Sequence, residues 1–267
     1  MDLRFQIEKI LGKNRRASTL TQYKNKGQIS RFCDLVQRKY GLQNIQHLKT
    51  KHVHGVFQDL KKRDLSPSSL ASYATAARTI AEAVGKQNIV PKTNKEMGIS
   101  RAGSRLKPVE ADMERVHEIT AQLYEKGEWL GLAAELREQF GLRAKESLLS
   151  TEVRDDRLVV RGAKGGRPRE IPIRNDSQQA LLARIQDHLK REDKMSLVPA
   201  DMSLKQGLKH QSNILYRLGA TKGNRAHAHA ARHEYAQQMA KEGQSKSAIS
   251  QELGHGRQEV VSHYVPK

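Results

Sequence analysis

Cysteine is almost missing from this chain. The single residue, Cys33, excludes an intrachain disulfide framework and a cysteine-based zinc site. It lies among Phe32, Leu35 and Val36 and reads as a small buried core residue. No stretch approaches the roughly 18 consecutive apolar residues that a membrane span requires, and no signal-like apolar segment opens the chain. A soluble, cytoplasmic protein is therefore expected. Acidic residues are the other shortage: 29 Asp and Glu stand against 48 Lys and Arg, a formal net charge of +19. The isoelectric point near 10.1 points to a polyanionic partner, nucleic acid first.

At 267 residues the chain is long for one domain and short for three, so two are expected. The charge is uneven. Residues 1–108 hold 22 basic and 7 acidic side chains, whereas the remainder holds 26 and 22. The first half is thus the stronger electrostatic clamp.

That first half reads as nearly all helical. Apolar residues recur on one face over 18–39 (Leu20, Tyr23, Ile29, Phe32, Leu35, Val36) and over 50–63 (Val53, Val56, Phe57, Leu60). Ser66-Pro67 announces a third helix running to Val84, with Pro67 suited to a first turn; another is expected over 2–12. From about residue 86 the period fades among Pro91, Gly98, Gly103 and Pro108, which reads as a basic linker with a boundary near 107. Helical patterns resume at 111–126 and 129–139. Residues 157–161 and 169–173 are β-rich and flank Gly162-Ala163-Lys164-Gly165-Gly166, the signature of a hairpin with Lys164 in its turn. Helices follow at 176–191, 203–219, 228–242 and 245–253, with Gly254 ending the last. The expected fold is mainly α with one small β-sheet (α+β).

Chemistry concentrates in the second half. Tyr264 lies nine residues after His255, with His229-Ala230-Ala231-Arg232 upstream. A phenol titrates near 10 and is a weak nucleophile at neutral pH unless it is activated. Forked guanidinium donors such as Arg143 and Arg232 suit the negative charge that grows on nonbridging phosphate oxygens during attack on a phosphodiester. His255 can add a donor, an imidazole such as His229 can take the phenolic proton, and Lys164 can protonate a departing oxygen. Each alone has an ordinary explanation: Arg143 could pair with Glu146, Lys164 could be a solvated loop residue, His255 could end a helix, and Tyr264 could be a packing aromatic. His229 and His233, four apart beside His227, also invite a zinc reading. No Glu follows His229, cysteine ligands are lacking and Arg232 would repel a cation, so no metal and no cofactor are expected.

The order Gly141-Leu142-Arg143-x-x-Glu146, Lys164 in a hairpin turn, His229-x-x-Arg232-His233, Leu253-Gly254-His255 and Tyr264 resembles that of the tyrosine recombinases, or phage-type integrases. The resemblance extends to nearly the whole chain and is most specific in the C-terminal half. It implies a helical core-binding domain over 1–107, including the basic linker, and a catalytic domain over 108–267. The catalytic residues would be Arg143, Lys164, His229, Arg232, His255 and the nucleophile Tyr264. It further implies a site-specific recombinase acting on double-stranded DNA through a 3′-phosphotyrosine and a free 5′ hydroxyl, without ATP. Four protomers would work on two DNA sites, with a DNA-bending accessory protein as a candidate further partner and a mobile element as the context. A topoisomerase of type IB chemistry and a DNA-binding regulator without catalysis are the alternatives. The chain departs from the pattern at Ala230, where an acid is common, and in the three residues that follow Tyr264. Assembly then rests on contacts other than a long tail, or Tyr264 lies on a flexible terminal segment. The stretch before residue 18 is too short for the separate arm-binding domain of some phage integrases.

Overall fold

The computed structural model describes residues 2–12, 19–100, 108–162 and 168–265. The chain divides into two compact units, Met1–Arg105 and Leu106–Lys267. Among the described residues, no helix is long and apolar enough to cross a membrane.

Among the described residues, the first unit contains four α-helices, α1 (Leu3–Leu11), α2 (Thr19–Tyr40), α3 (Thr50–Lys62) and α4 (Pro67–Ala83). Asp2 caps α1 by accepting from Arg4 N at 2.9 Å, and the Ser66 hydroxyl caps α4 by accepting from Ser69 N at 3.3 Å with Pro67 in the first turn. Ala71, Ala74, Ala77 and Ala81 keep one face of α4 thin, which lets it pack closely on α2. Phe32, Val36, Leu60 and Ile80 fill the shared core. Cys33 is fully buried there, and burial followed by the nearby Asp34 carboxylate pushes its thiol up to about 12. Lys51, Lys61, Lys62 and Arg63 are exposed. The stretch 86–100, expected as a basic linker, buries Val90 and Ile99 in this same core. Arg78 donates to Pro91 O at 2.8 Å and Lys61 to Met97 O at 2.9 Å, so two cations of the helices fasten it.

The second unit is built around α6 (Glu128–Phe140), whose Leu130, Leu132, Ala133, Leu136 and Phe140 are all buried. It pairs with α5 (Met113–Lys126), and α7 (Ala144–Leu149) follows it after Gly141. Next come β1 (Glu152–Arg154), β2 (Arg157–Val160) and β3 (Arg169–Pro172), an antiparallel sheet in that order. The register pairs Glu152 with Val159 and Val160 with Arg169. Leu158, Val160 and Ile171 turn inward against α8 (Asp176–Arg191). The β2–β3 pair was expected. β1 was not, because its three residues are partly charged and too short to show alternation; Asp155 and Asp156, both at positive φ, make the tight turn that adds it. The remaining helices are α9 (Leu204–Arg217), α10 (Ala230–Lys241) and α11 (Lys246–Glu252), and a 3-10 turn over Gln258–His263 delivers Tyr264. Ala236, Met239, Ile249, Leu253 and Val261 form a small core beneath that turn.

Candidate active site

The helix that starts at Ala144 fixes Arg143. Glu146, three residues on, accepts from Arg143 N at 3.0 Å and from Arg143 Nη1 at 2.8 Å, so one carboxylate caps the helix and aims the guanidinium. Glu146 is itself almost completely buried, which a carboxylate tolerates only with partners. Arg169 supplies a second fork, with Nη1 3.3 Å from Oε1 and Nη2 3.1 Å from Oε2. Burial would raise the Glu146 carboxyl, but Arg169 and Arg143 overcome it and hold it down to about 2.

Arg232 comes from the first turn of α10 and is fully buried. Its guanidinium donates to the carbonyls of Gly141 and Leu253, at the two helix ends that lead to Arg143 and His255. Burial, then repulsion from Arg143, lowers its pKa to about 10, so it remains a cation at neutral pH. Arg232 Nε is buried without a hydrogen-bond partner among the described residues. Gly141 and Gly254, at φ +60° and +65°, end their helices in the left-handed region. A β-carbon on Gly254 would lie 2.7 Å from Arg169 Nη1, so close packing of that arginine demands glycine as well.

His255 lies between the two arginines. Arg143 Nη2 is 3.3 Å from its Nδ1 and Arg232 Nη2 is 3.3 Å from its Nε2. Burial, then Arg232 and Arg143, push its pKa down to about 3. The Tyr264 ring stands 5.3 Å from the His255 ring, 4.8 Å from the His233 ring and 5.5 Å from the Arg232 guanidinium carbon. Its backbone is tied by Tyr264 N donating to Val261 O at 2.8 Å.

Of the six residues singled out from sequence, Arg143, Arg232, His255 and Tyr264 thus meet in one cluster. His229 stands at the N-terminal cap position of α10, exposed at the surface. Partial desolvation of its ring, then Arg232 and the neighbouring His233, bring it down to about 4. It is neutral at pH 7, though a weaker base than a free imidazole; the charge of a bound anion would raise it again. Lys164 lies outside the described residues.

Arg169 is a member of this site that motif reading passed over, and Glu146 entered the motif without a role of its own. Arg169 shares the inward face of β3 with Ile171, two positions on, and that period-2 placement was its signal. Glu146 was visible as the partner of Arg143 but not as the hub of two arginines.

The arrangement gathers two fixed guanidinium groups and an imidazole around one tyrosine, with a single buried carboxylate to hold them. Such a set binds an oxyanion and strengthens its grip as negative charge grows.

The profile described as the phage integrase family matches residues 109–267. No curated protein matches the chain in sequence. Among solved structures, a lambda integrase tetramer bound to a Holliday junction is 17% identical with a TM-score of 0.65, covering 98% of this chain and 75% of its own. The XerH site-specific recombinase bound to palindromic difH substrate, in a post-cleavage complex, is 16% identical at 0.67, covering 98% and 80%. The Tn1549 transposon integrase in complex with transposon right end DNA is 15% identical at 0.57, covering 99% and 94%. At these identities the likeness establishes a shared fold.

Proposed function

The chain belongs to the phage integrase family, and from that premise we propose that Tyr264 is the nucleophile with which it cleaves and rejoins DNA as a site-specific recombinase. In this reading, Tyr264 Oη attacks a backbone phosphorus. The new bond joins the phenolic oxygen to the 3′ phosphate, and the bond from phosphorus to the 5′ oxygen breaks. The phenolic proton passes to His229, and Lys164 returns a proton to the 5′ oxygen so that a hydroxyl, not an alkoxide, departs. Arg143, Arg232 and His255 face the nonbridging oxygens, where donors fixed in a partly dry site stabilise the transition state more than the ground state. One phosphoester replaces another, so the strand end keeps the energy needed for rejoining. A 5′ hydroxyl from a second duplex can then attack in the reverse sense, which exchanges strands.

The single observation that carries this reading is the convergence of Arg143 Nη2 and Arg232 Nη2, each at 3.3 Å, on the His255 ring beside Tyr264. The strong positive balance of residues 1–108 supports a clamp on duplex DNA. The structural neighbours include recombinases bound to DNA and one tetramer on a Holliday junction, which favours assembly of four copies on two sites here too. An accessory DNA-bending protein and integration or excision of a mobile element belong to the same proposal. The family and the fold favour recombination over relaxation of supercoils.

The test uses a duplex selected from a randomised library for tight binding, nicked at successive positions so that cleavage releases a short oligonucleotide and traps the adduct. Wild-type protein should become covalently linked to DNA and Tyr264→Phe should not. Equal adduct from both would exclude Tyr264 as the nucleophile. Two-site substrates compared with supercoiled circles then separate strand exchange from relaxation.

A further inference from the structure

Two side chains on α10, outside the set that would face the phosphate, hold the tyrosine and the start of the second unit together. Gln237 Nε2 donates to Tyr264 O at 2.9 Å and to Val109 O at 3.0 Å. One turn earlier, the His233 ring lies tilted against Tyr264 with ring centroids 4.8 Å apart, and its Nδ1 accepts from Val109 N at 3.4 Å. Residues four apart share a helix face, so both side chains reach the same two segments.

The chemistry of each side chain fits this use. A carboxamide has two N–H donors, and both donors of Gln237 are engaged by carbonyls from opposite ends of the unit. His233 must be neutral to accept at Nδ1. Burial, then His227 and Arg232, lower it to about 4, against a hydrogen bond to the Tyr264 backbone that works the other way. Tyr264 follows a 3-10 turn, where the backbone ladder has ended, so its carbonyl depends on a side chain.

We propose that His233 and Gln237 are positioning residues for Tyr264, and that their second attachment, Val109, makes the seat of the nucleophile depend on the segment leading into the catalytic unit. The inference rests on the reading of Tyr264 as nucleophile. A displacement of Val109 reaches Tyr264 through one side chain while Arg143, Arg232 and His255 stay in place. The chain can therefore bind DNA fully and still withhold cleavage until the lead-in segment is correctly set.

The test uses the full chain. Gln237→Met keeps length and neutrality but removes both donors, and His233→Phe keeps the ring contact but removes the acceptor. Each should slow single-turnover adduct formation about tenfold, the scale of a small misplacement of a reacting group, with DNA affinity unchanged. The double variant should be no slower than the worse single one, because both act through the same clamp. Hydrogen exchange should quicken together in residues 109–112 and 262–265. A DNA substrate with sulfur in place of the bridging 5′ oxygen, whose leaving group needs no proton, should not restore the rate. Wild-type rates in both variants, rescue by the sulfur substrate, or loosening of 262–265 alone would overturn the clamp while leaving strand transfer intact. A wild-type protein that forms no adduct would overturn the strand-transfer reading and the clamp with it.

Discussion

Arg143 Nη2 lies 3.3 Å from Nδ1 of His255, and this contact competes with another one. Arg232 Nη2 is 3.3 Å from the other ring nitrogen. A guanidinium only donates, and a neutral imidazole has a single accepting nitrogen, so one of the two contacts sets an N–H against an N–H. An oxyanion that accepts from both arginines and from the imidazole N–H relieves that conflict. The three groups are thus better matched to a phosphate than to one another.

Arg143→Lys should test the fork. Lysine keeps the charge but lacks the planar fork whose two arms reach Glu146 and the His255 side together. Single-turnover cleavage should fall about a hundredfold, the scale of losing one donor to a developing oxyanion, with the DNA dissociation constant little changed. A loss of affinity that accounts for the whole defect would place Arg143 in ground-state binding instead.

Arg169→Ala should act first on stability. It removes a buried partner of Glu146 and a donor to the Glu252 carbonyl. Breaking a buried ion pair from one side costs about 3 kcal/mol, to be read from urea unfolding. A change under about 0.5 kcal/mol, the range of an ordinary surface substitution, would mean that Arg169 is dispensable to the hub.

Acid should weaken the catalytic unit earlier than its carboxylates alone would. His229 and His233 are depressed to about 4 and His255 to about 3. The unfolded chain therefore binds protons at these positions from roughly pH 6.5 downward while the folded chain does not. Their contribution is fully present above that pH and is lost as pH falls toward 4 and 3. Glu146, held to about 2, adds a further loss only below about pH 4.5. The melting temperature should fall between pH 7 and 5, and less steeply in His233→Phe. A flat profile over that interval would contradict the depressed values.

Salt should weaken DNA binding steeply. Neutralising the exposed Lys51, Lys62 and Arg63 to Gln should make the log–log salt dependence shallower by about 0.9 for each side chain that meets a phosphate. An unchanged slope would remove α3 from the DNA contact.

How far the sequence reached depended on the range of each interaction. Helices with long apolar periods were legible to within a few residues: α3 was expected over 50–63 and occupies Thr50–Lys62, and α8 lies where 176–191 placed it. Local chemistry was legible too, as at Pro67 and Gly254. The six residues of α7 and the three of β1 are too short to carry a period. Arg169 reaches Glu146 across 23 positions, and Gln237 joins Val109 to Tyr264 across 128 and 27. No spacing rule covers such pairs, because folding alone brings them together. Tyr264 is seated by Val261, His233 and Gln237 of its own unit.

The central claim is a covalent bond between Tyr264 and a 3′ phosphate. Trapped adduct, digested with protease and nuclease and sequenced by mass spectrometry, should yield a peptide carrying a nucleotide mass on Tyr264 and a free 5′ hydroxyl on the released strand. A nucleotide on any other residue, or a 5′ phosphate on the released strand, would contradict the account.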